Sequence, residues 1–540
     1  MRAIASELIL SIGVGALAFG QTADLAVTNA HIYTVNAKQP RASAIAVAQG
    51  RILAVGDDVS RHIGASTKVI DAKGAAIMPG LIDSHGHVRS LGDRIGSIDL
   101  RGVASESEAA EKVREAAKRH KPGEWILGSA WDQNLWAGKQ FPNAAGISKA
   151  APDNPVSLGR VDGHALWVNR KALEMADINA RTPDPPGGKL LRDANGAPTG
   201  VLVDQAQQLV ARKIPSATPD QVEQSLLRAT QELARDGITT VHDAGVQYAD
   251  IEGYRSLIRK GLLPIRIYAM ILYPLALPEK TEVGDYLTVR SIKLVADGAL
   301  GSRGAAMIEP YTDDPGNRGL LILDRATIRA AAEKALAKGF QVNTHAIGDR
   351  ANRTVLEAYG DVLKGRNDKR FRIEHAQIVA PEDFRKFQQY SILASMQATH
   401  ATSDMPWAQD RVGPERIKGA YAWQTFLHLG VRVPNGSDFP VEDPNPLLGF
   451  YAAVTREKQD GKPAGGWFPE QRMSREEALR SWTIEGAYAA FEEDRKGSLE
   501  AGKMADFVML SGDIMTMPAA EISRTRVTLT VAGGKIVYQR

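Results

Sequence analysis

The stretch Ile77-Met78-Pro79-Gly80-Leu81-Ile82-Asp83-Ser84-His85-Gly86-His87-Val88 decides how the rest of this 540-residue chain is read. An apolar run of strand length ends in two histidines. Side chains two residues apart on a strand point to the same side, so both imidazoles can grip one ion. Two histidines on one face can also be ordinary surface residues, and the triplet gains weight only from what ends the other strands.

Seven further strand-like segments follow: GITTVHDAG (237–245), PIRIYAMIL (264–272), SIKLVADG (291–298), FQVNTHAIGD (340–349), RFRIEHAQ (370–377), SILASMQ (391–397) and VRVPNGSD (431–438). Amphipathic helical stretches such as DRATIRAAAEKALAKG (324–339) separate several of them. Strand, helix, strand in succession predicts a parallel sheet, and eight such units close into a distorted TIM (β/α)8 barrel of the α/β class. His345, His375 and Asp438 fall at the carboxyl ends of these strands, where barrel active sites lie, and this weighs against an open doubly wound sheet.

Outward from the barrel, the texture changes. ADLAVTNAHIYTV (23–35), SAIAVAQGRILAVG (43–56), GSLEAGKMADFVML (497–510) and RVTLTVAGGKIVYQR (526–540) are short runs broken by Gly, Asn and Asp, the pattern of hairpin strands. They predict a small β-sandwich module built from residues 21–75 and 495–540, with the barrel over 76–494. The long gap after the first barrel strand predicts an inserted subdomain at about 90–230, far longer than a βα connection requires. It carries Trp125, Trp131, Trp136, Trp167 and the Pro/Gly-rich TPDPPGGKLLRDANGAPTG (182–200). It either shapes a pocket over the barrel mouth or uses the tryptophans as its own core.

Residues 1–20 pair Arg2 with an apolar run from Leu8 to Phe19, and Ala18 and Gly20 stand at cleavage-type positions. This reads as a signal peptide of an exported protein, periplasmic or extracellular; an uncleaved anchor or an apolar first strand is the alternative. No membrane association beyond export is expected. A net charge of +3 without a basic run argues against nucleic acid as a partner. The absence of cysteine excludes disulfides, thiolate metal sites and a cysteine nucleophile, so any metal sits on nitrogen and oxygen. Neutral imidazoles and a carboxylate suit Zn²⁺ or a similar divalent ion, which lowers the pKa of bound water to near 7. His31, His62, His120 and His428 lie outside the strand-end set and read as surface or packing residues.

The segments PGLIDSHGH, WDQNLW, GRVDGHALWVN, GITTVHDAG, IKLVADGALGSRGAA, NTHAIGD, RIEHAQ, GSDFPVE and GSLEAGKMADFVML together resemble the amidohydrolase superfamily. The similar subgroup is amidohydrolase family 3, with its YtcJ-like and N-substituted formamide deformylase-like proteins. The resemblance covers nearly everything after residue 20. It implies that Lys293 is carbamylated by CO₂ and bridges two ions, one held by His85, His87 and Asp438, the other by His345 and His375. Burial must then depress the lysine's pKa. The alternative is a Lys293–Asp297 ion pair beside a single ion.

The resemblance further implies Asp438, with His345 and Lys293, as the catalytic group that moves a proton from water to the leaving nitrogen. It marks His164, Trp131, Arg160, Asp162, Asp297, Arg303, His242 and His400 as substrate-facing candidates. Ala398 stands near His400 where the family often has proline. The activity implied is hydrolysis of a non-peptide C–N bond in a small molecule, by a chain that could form a homodimer. The rivals are hydrolysis of a lactone, carbamate or other ester-like bond, and a catalytically silent secreted binding protein. No G-x-S-x-G elbow is evident, which disfavours a serine nucleophile.

Overall fold

The computed structural model describes residues 21–160 and 165–540. The expected signal segment, Asp162 and His164 therefore lie outside the described residues. Eight parallel strands run side by side in chain order: β1 (Leu81–Gly86), β2 (Ile238–Val246), β3 (Arg266–Leu272), β4 (Leu287–Val295), β5 (Gln341–Ala346), β6 (Arg372–His375), β7 (Leu393–Gln397) and β8 (Asn435–Gly436). Register places Val295 beside His345 and His345 beside Glu374. The strands are buried on both faces, as the near-continuous Val, Ile and Leu content of a parallel barrel requires.

The circle is nearly closed between β8 and β1. The Asp438 N–H donates to the His85 carbonyl at 2.7 Å, and the His87 N–H to the Phe439 carbonyl at 2.9 Å. Gly436 permits this approach, because a Cβ there would stand 2.5 Å from the His85 nitrogen. The expected eighth strand is cut to two residues: Pro434 has no N–H to donate, so pairing on that side is limited.

Helices between the strands pack on the barrel's outer surface. Pro219–Arg235 begins with a capping box in which the Thr218 hydroxyl accepts from the Gln221 N–H and Pro219 opens the helix. Its Val222, Leu226, Ala229 and Leu233 form one buried stripe that joins the main core. It meets the helix Val88–Gly96 closely enough that a Cβ on Gly92 would lie 1.8 Å from the Ser225 carbonyl oxygen.

Two further sheets lie outside the barrel, and the second draws on both chain ends. One orders Arg51–Gly56, Ala44–Ala48, Leu25–Thr28 and Lys68–Asp71; the other orders Lys535–Gln539, Val527–Ala532, Phe507–Leu510, Ala76–Pro79, His31–Tyr33 and Arg41–Ala42. Val27, Ile45, Ile77, Phe507 and Leu529 share a core between them. Ala76–Pro79, counted with the barrel in the sequence, pairs with Phe507–Leu510, so the change of sheet falls at Gly80. Between β1 and β2 a separate six-stranded sheet runs from Ile98–Asp99 to Gly188–Arg192 around a core containing Trp131, Trp136 and Trp167.

Candidate metal centre

The carboxyl ends of the strands bring His85, His87, His375, His400 and Asp438 together. The ligating atoms of His85, His87 and Asp438 lie within 4.8 Å of one another, as do those of His375, His400 and Asp438. Two of these residues are turned inward by unusual backbone: His375 has φ +74° and Asp438 φ +60°. Non-glycine residues adopt this region at a cost, and only surroundings that over-determine the turn maintain it.

Each of three imidazoles has one nitrogen committed. His85 Nδ1 lies 2.6 Å from Glu374 Oε2, His87 Nδ1 2.7 Å from the Ala244 carbonyl, and His375 Nδ1 2.7 Å from Gln397 Oε1. These acceptors hold the proton on Nδ1 and leave each Nε2 with a lone pair. His87 Nε2 stands 3.0 Å from Asp438 Oδ1 and His85 Nε2 stands 3.7 Å from it. A lone pair facing a carboxylate at that distance calls for a cation between them. Ligands about 2.1 Å from a tetrahedral ion stand roughly 3.4 Å apart, so the spacing accommodates a divalent metal.

Protonation favours the same use. Burial, with the Lys293 ammonium beside it, pushes His85 down to about 4. Burial and then His345 and His85 hold His375 well below the ordinary histidine range. Both are neutral ligands near pH 7. Burial also lowers Lys293, against the opposing pull of Glu374 and Asp438, and its Nζ lies 3.1 Å from His85 Nε2. Burial opposes ionisation of Asp438, but its close contacts with His87, His85, His375 and His400 outweigh it and hold the carboxyl well below its usual range.

Several positions differ from expectation. His345 Nε2 lies 3.4 Å from Asp297 Oδ1 but is buried with no hydrogen-bond partner among the described residues; it belongs to neither of the two groups, although its ring meets that of His375 at 4.5 Å. Asp297, expected at the substrate, is buried and accepts the N–H groups of Ala306, Ile347 and Gly348 at 2.9, 3.0 and 2.8 Å. Its oxygens are spent on backbone, and it makes no ion pair with Lys293. Trp131 is fully buried in the core of the 98–204 sheet with its indole N–H on the Leu158 carbonyl, so it offers no face to a substrate.

His242 is also fully buried, behind His85: Arg372 Nη1 reaches its Nδ1 at 2.9 Å and joins it to Glu374. Arg372 thus links its ring to the carboxylate that holds His85. Arg303 pairs with Asp313, and Arg160 with Asp132 and Gln133. His400, expected to face substrate, has its ligating nitrogen within 4.8 Å of those of His375 and Asp438.

Sequence reasoning missed Glu374, Gln397 and Asp83. The signal for Glu374 was present: Arg372 and Glu374 are opposite charges two apart in one strand, hence neighbours on one face. Asp83 accepts from the His85 N–H at 3.0 Å and the Ser437 hydroxyl at 2.7 Å, tying β1 to β8.

Comparison with known proteins places this arrangement. Protein LONG AFTER FAR-RED 3 of Arabidopsis thaliana is 36% identical over 96% of this chain and 92% of its own length. YtcJ of Bacillus subtilis (strain 168) is 32% identical over 94% and 98% of the two chains. The N-substituted formamide deformylase of Arthrobacter pascens is 27% identical over 96% and 99%. A crystal structure of a metal-dependent hydrolase from Pyrococcus furiosus, 28% identical, superimposes with a TM-score of 0.77 over 91% of this chain and 100% of that one. The amidohydrolase family matches residues 68–538, and the chain belongs to that family.

Proposed function

We propose that this chain is a metal-dependent hydrolase that cleaves a non-peptide C–N bond, of the N-substituted amide or formamide type, in a small-molecule substrate. One observation carries the reading: neutral imidazoles with committed Nδ1 atoms surround a single buried carboxylate at the barrel mouth. The relative named as an N-substituted formamide deformylase supports the choice of bond. Zn²⁺ suits these ligands, and such an ion, when bound, supplies Lewis acidity toward a carbonyl and toward water.

The chain's own residues supply the rest. Asp438 receives a proton at its carboxylate and returns it to the leaving nitrogen. Glu374, Gln397 and the Ala244 carbonyl keep the imidazole protons on Nδ1, away from the reacting region. Burial favours the neutral form of the Lys293 amine, the form that reacts with CO₂, and the resulting carbamate would add an anionic oxygen pair beside His85. We read the two end sheets as one sandwich module and residues about 90–230 as an insertion that shapes substrate access. Residues 1–20 would direct export.

The test is a panel of N-substituted formamides, amides, carbamates and lactones offered to chelator-treated and Zn²⁺-reloaded protein. Amide or formamide turnover should appear only after reloading, and Asp438→Asn should abolish it with an unchanged circular dichroism spectrum. Turnover of lactones alone would move the assignment to ester-like bonds. Turnover indifferent to chelation would overturn it.

A further inference from the structure

Behind His85 the buried Arg372 guanidinium reaches three other strands of the barrel. Its Nη1 donates to His242 Nδ1 on β2 at 2.9 Å; its Nη2 donates to the Ser84 carbonyl on β1 at 3.1 Å and lies 3.5 Å from Met270 Sδ on β3. On its own strand it meets Glu374 lopsidedly. Nε donates to Oε1 at 2.7 Å and Nη2 lies 2.6 Å from the same oxygen, so one edge of the fork straddles a single atom. Arginine–carboxylate pairs more often form two parallel bonds, one to each oxygen. Here Oε2 is left over, and it is the atom that holds His85 Nδ1 at 2.6 Å.

The guanidinium has donors only, so His242 Nδ1 must accept and the ring's proton sits on Nε2. Burial, and then the Arg372 charge, hold His242 well below the ordinary histidine range and keep it neutral near pH 7. The ring is fully buried, with Tyr268 5.1 Å away.

We propose that His242 is a positioning residue of the metal centre: by accepting from Nη1 it holds the Arg372 fork on Glu374 Oε1 and so reserves Oε2 for His85. The inference rests on the metal-dependent reading above. Without an acceptor at that place a buried N–H of Arg372 has no partner, and such a loss is costly. Turning the fork onto both oxygens of Glu374 restores the balance and takes Oε2 from His85. The His85 proton, no longer held at Nδ1, then moves to Nε2, the nitrogen that faces Asp438. A side chain two hydrogen bonds removed from His85 thus decides whether that imidazole offers a lone pair to an ion.

The test uses the full-length protein labelled with ¹⁵N-histidine and freed of metal by chelation, together with His242→Asn and His242→Leu. Asparagine puts an acceptor oxygen where Nδ1 stands, and leucine puts none. Nitrogen NMR of the wild type near pH 7 should show the His242 proton on Nε2 and the His85 proton on Nδ1. In His242→Leu the His85 proton should move to Nε2, and Zn²⁺ affinity, read by competition with a chromogenic chelator, should fall about 10-fold or more. His242→Asn should keep the wild-type tautomer and affinity. In a Glu374→Gln background the leucine substitution should weaken binding no further, because both changes act on the same oxygen. Loss of packing alone would lower the thermal midpoint of the metal-free protein and leave the His85 tautomer as it was. An unmoved His85 proton in His242→Leu, or equal weakening by asparagine and leucine, would overturn the proposal. Should the leucine variant fail to fold, a wild-type His242 proton on Nδ1 would overturn it as well. The expected tautomers in a protein that binds no Zn²⁺ would remove the metal-dependent reading and leave the control of His85 by His242 standing.

Discussion

Replacing Glu374 by glutamine tests whether the acceptors behind the histidines set the metal centre. The side chain is fully buried; one oxygen lies 2.6 Å from His85 Nδ1 and the other accepts from Arg372 Nε at 2.7 Å. Burial opposes its ionisation, but Arg372, His85 and Lys293 outweigh that and hold the carboxyl well below the usual carboxylate range. Glutamine keeps the shape and removes the charge. Arg372, itself buried, then loses its counter-ion, and breaking such a pair costs about 3–5 kcal/mol.

The second effect is chemical. If the new carbonyl oxygen accepts from Arg372, the amide –NH₂ faces His85 Nδ1 and requires a lone pair there. The His85 proton moves to Nε2, the nitrogen that faces Asp438. Affinity for the ion at His85, His87 and Asp438 should fall about 10–100-fold, equivalent to roughly 1.4–2.7 kcal/mol. Competition against a chromogenic chelator for Zn²⁺ measures the affinity, and thermal melting of the metal-free protein measures the fold. A variant that melts earlier but holds its first ion as tightly as wild type would refute the tautomer argument and reduce Glu374 to a counter-ion for Arg372. The native ion pair should weaken as pH falls: a depressed carboxyl pKa contributes stability above the unfolded value of about 4.3, which is lost on acidification below it.

Two other perturbations follow from buried carboxylates. Burial raises Asp83 to about 7, against the opposing hydrogen bonds from Ser437 and His85. The folded state therefore retains a proton that the unfolded chain releases near 3.9, and this group's contribution to stability declines between about pH 4 and pH 7. In metal-free protein, Asp83→Asn should gain relative to wild type by about 1.4 kcal/mol per pH unit across that window, to an upper limit of about 4 kcal/mol. Melting curves at pH 5 and pH 8 decide it, and a difference that stays constant or reverses sign sinks the idea. Asp297→Ala leaves three buried N–H groups without their acceptor, at about 1–3 kcal/mol each before relaxation. Limited proteolysis should then cut faster within residues 298–322; unchanged resistance would mean that water replaces the carboxylate.

The contrast between what was readable in the chain and what was not has a physical pattern. Strand periodicity and the two-residue spacing of His85 and His87 are local, so eight parallel strands and one pair of imidazoles could be read directly. His375 and Asp438 were visible as polar residues at strand ends, although the positive φ that turns them inward is not encoded in any short pattern. Trp131 misled because an aromatic residue serves a subdomain core and a pocket equally well; only the Leu158 carbonyl on its indole N–H decides between them. Asp297 misled because a carboxylate in a glycine-rich loop at a strand end suits a ligand, yet the loop's own N–H groups need an acceptor once buried.

The same distinction separates the histidines from the groups that make them useful. Each ligand can be found by its position on one strand, whereas each anchor is a relation between strands. His85 and Glu374 are 289 residues apart, and Asp83 and Ser437 are 354 apart. Closing the barrel makes them neighbours, because β6 enters beside β5 and β8 returns to β1. His400 follows from the same closure: β8 is held to two residues by Pro434, and the preceding helix brings its imidazole to the far oxygen of Asp438.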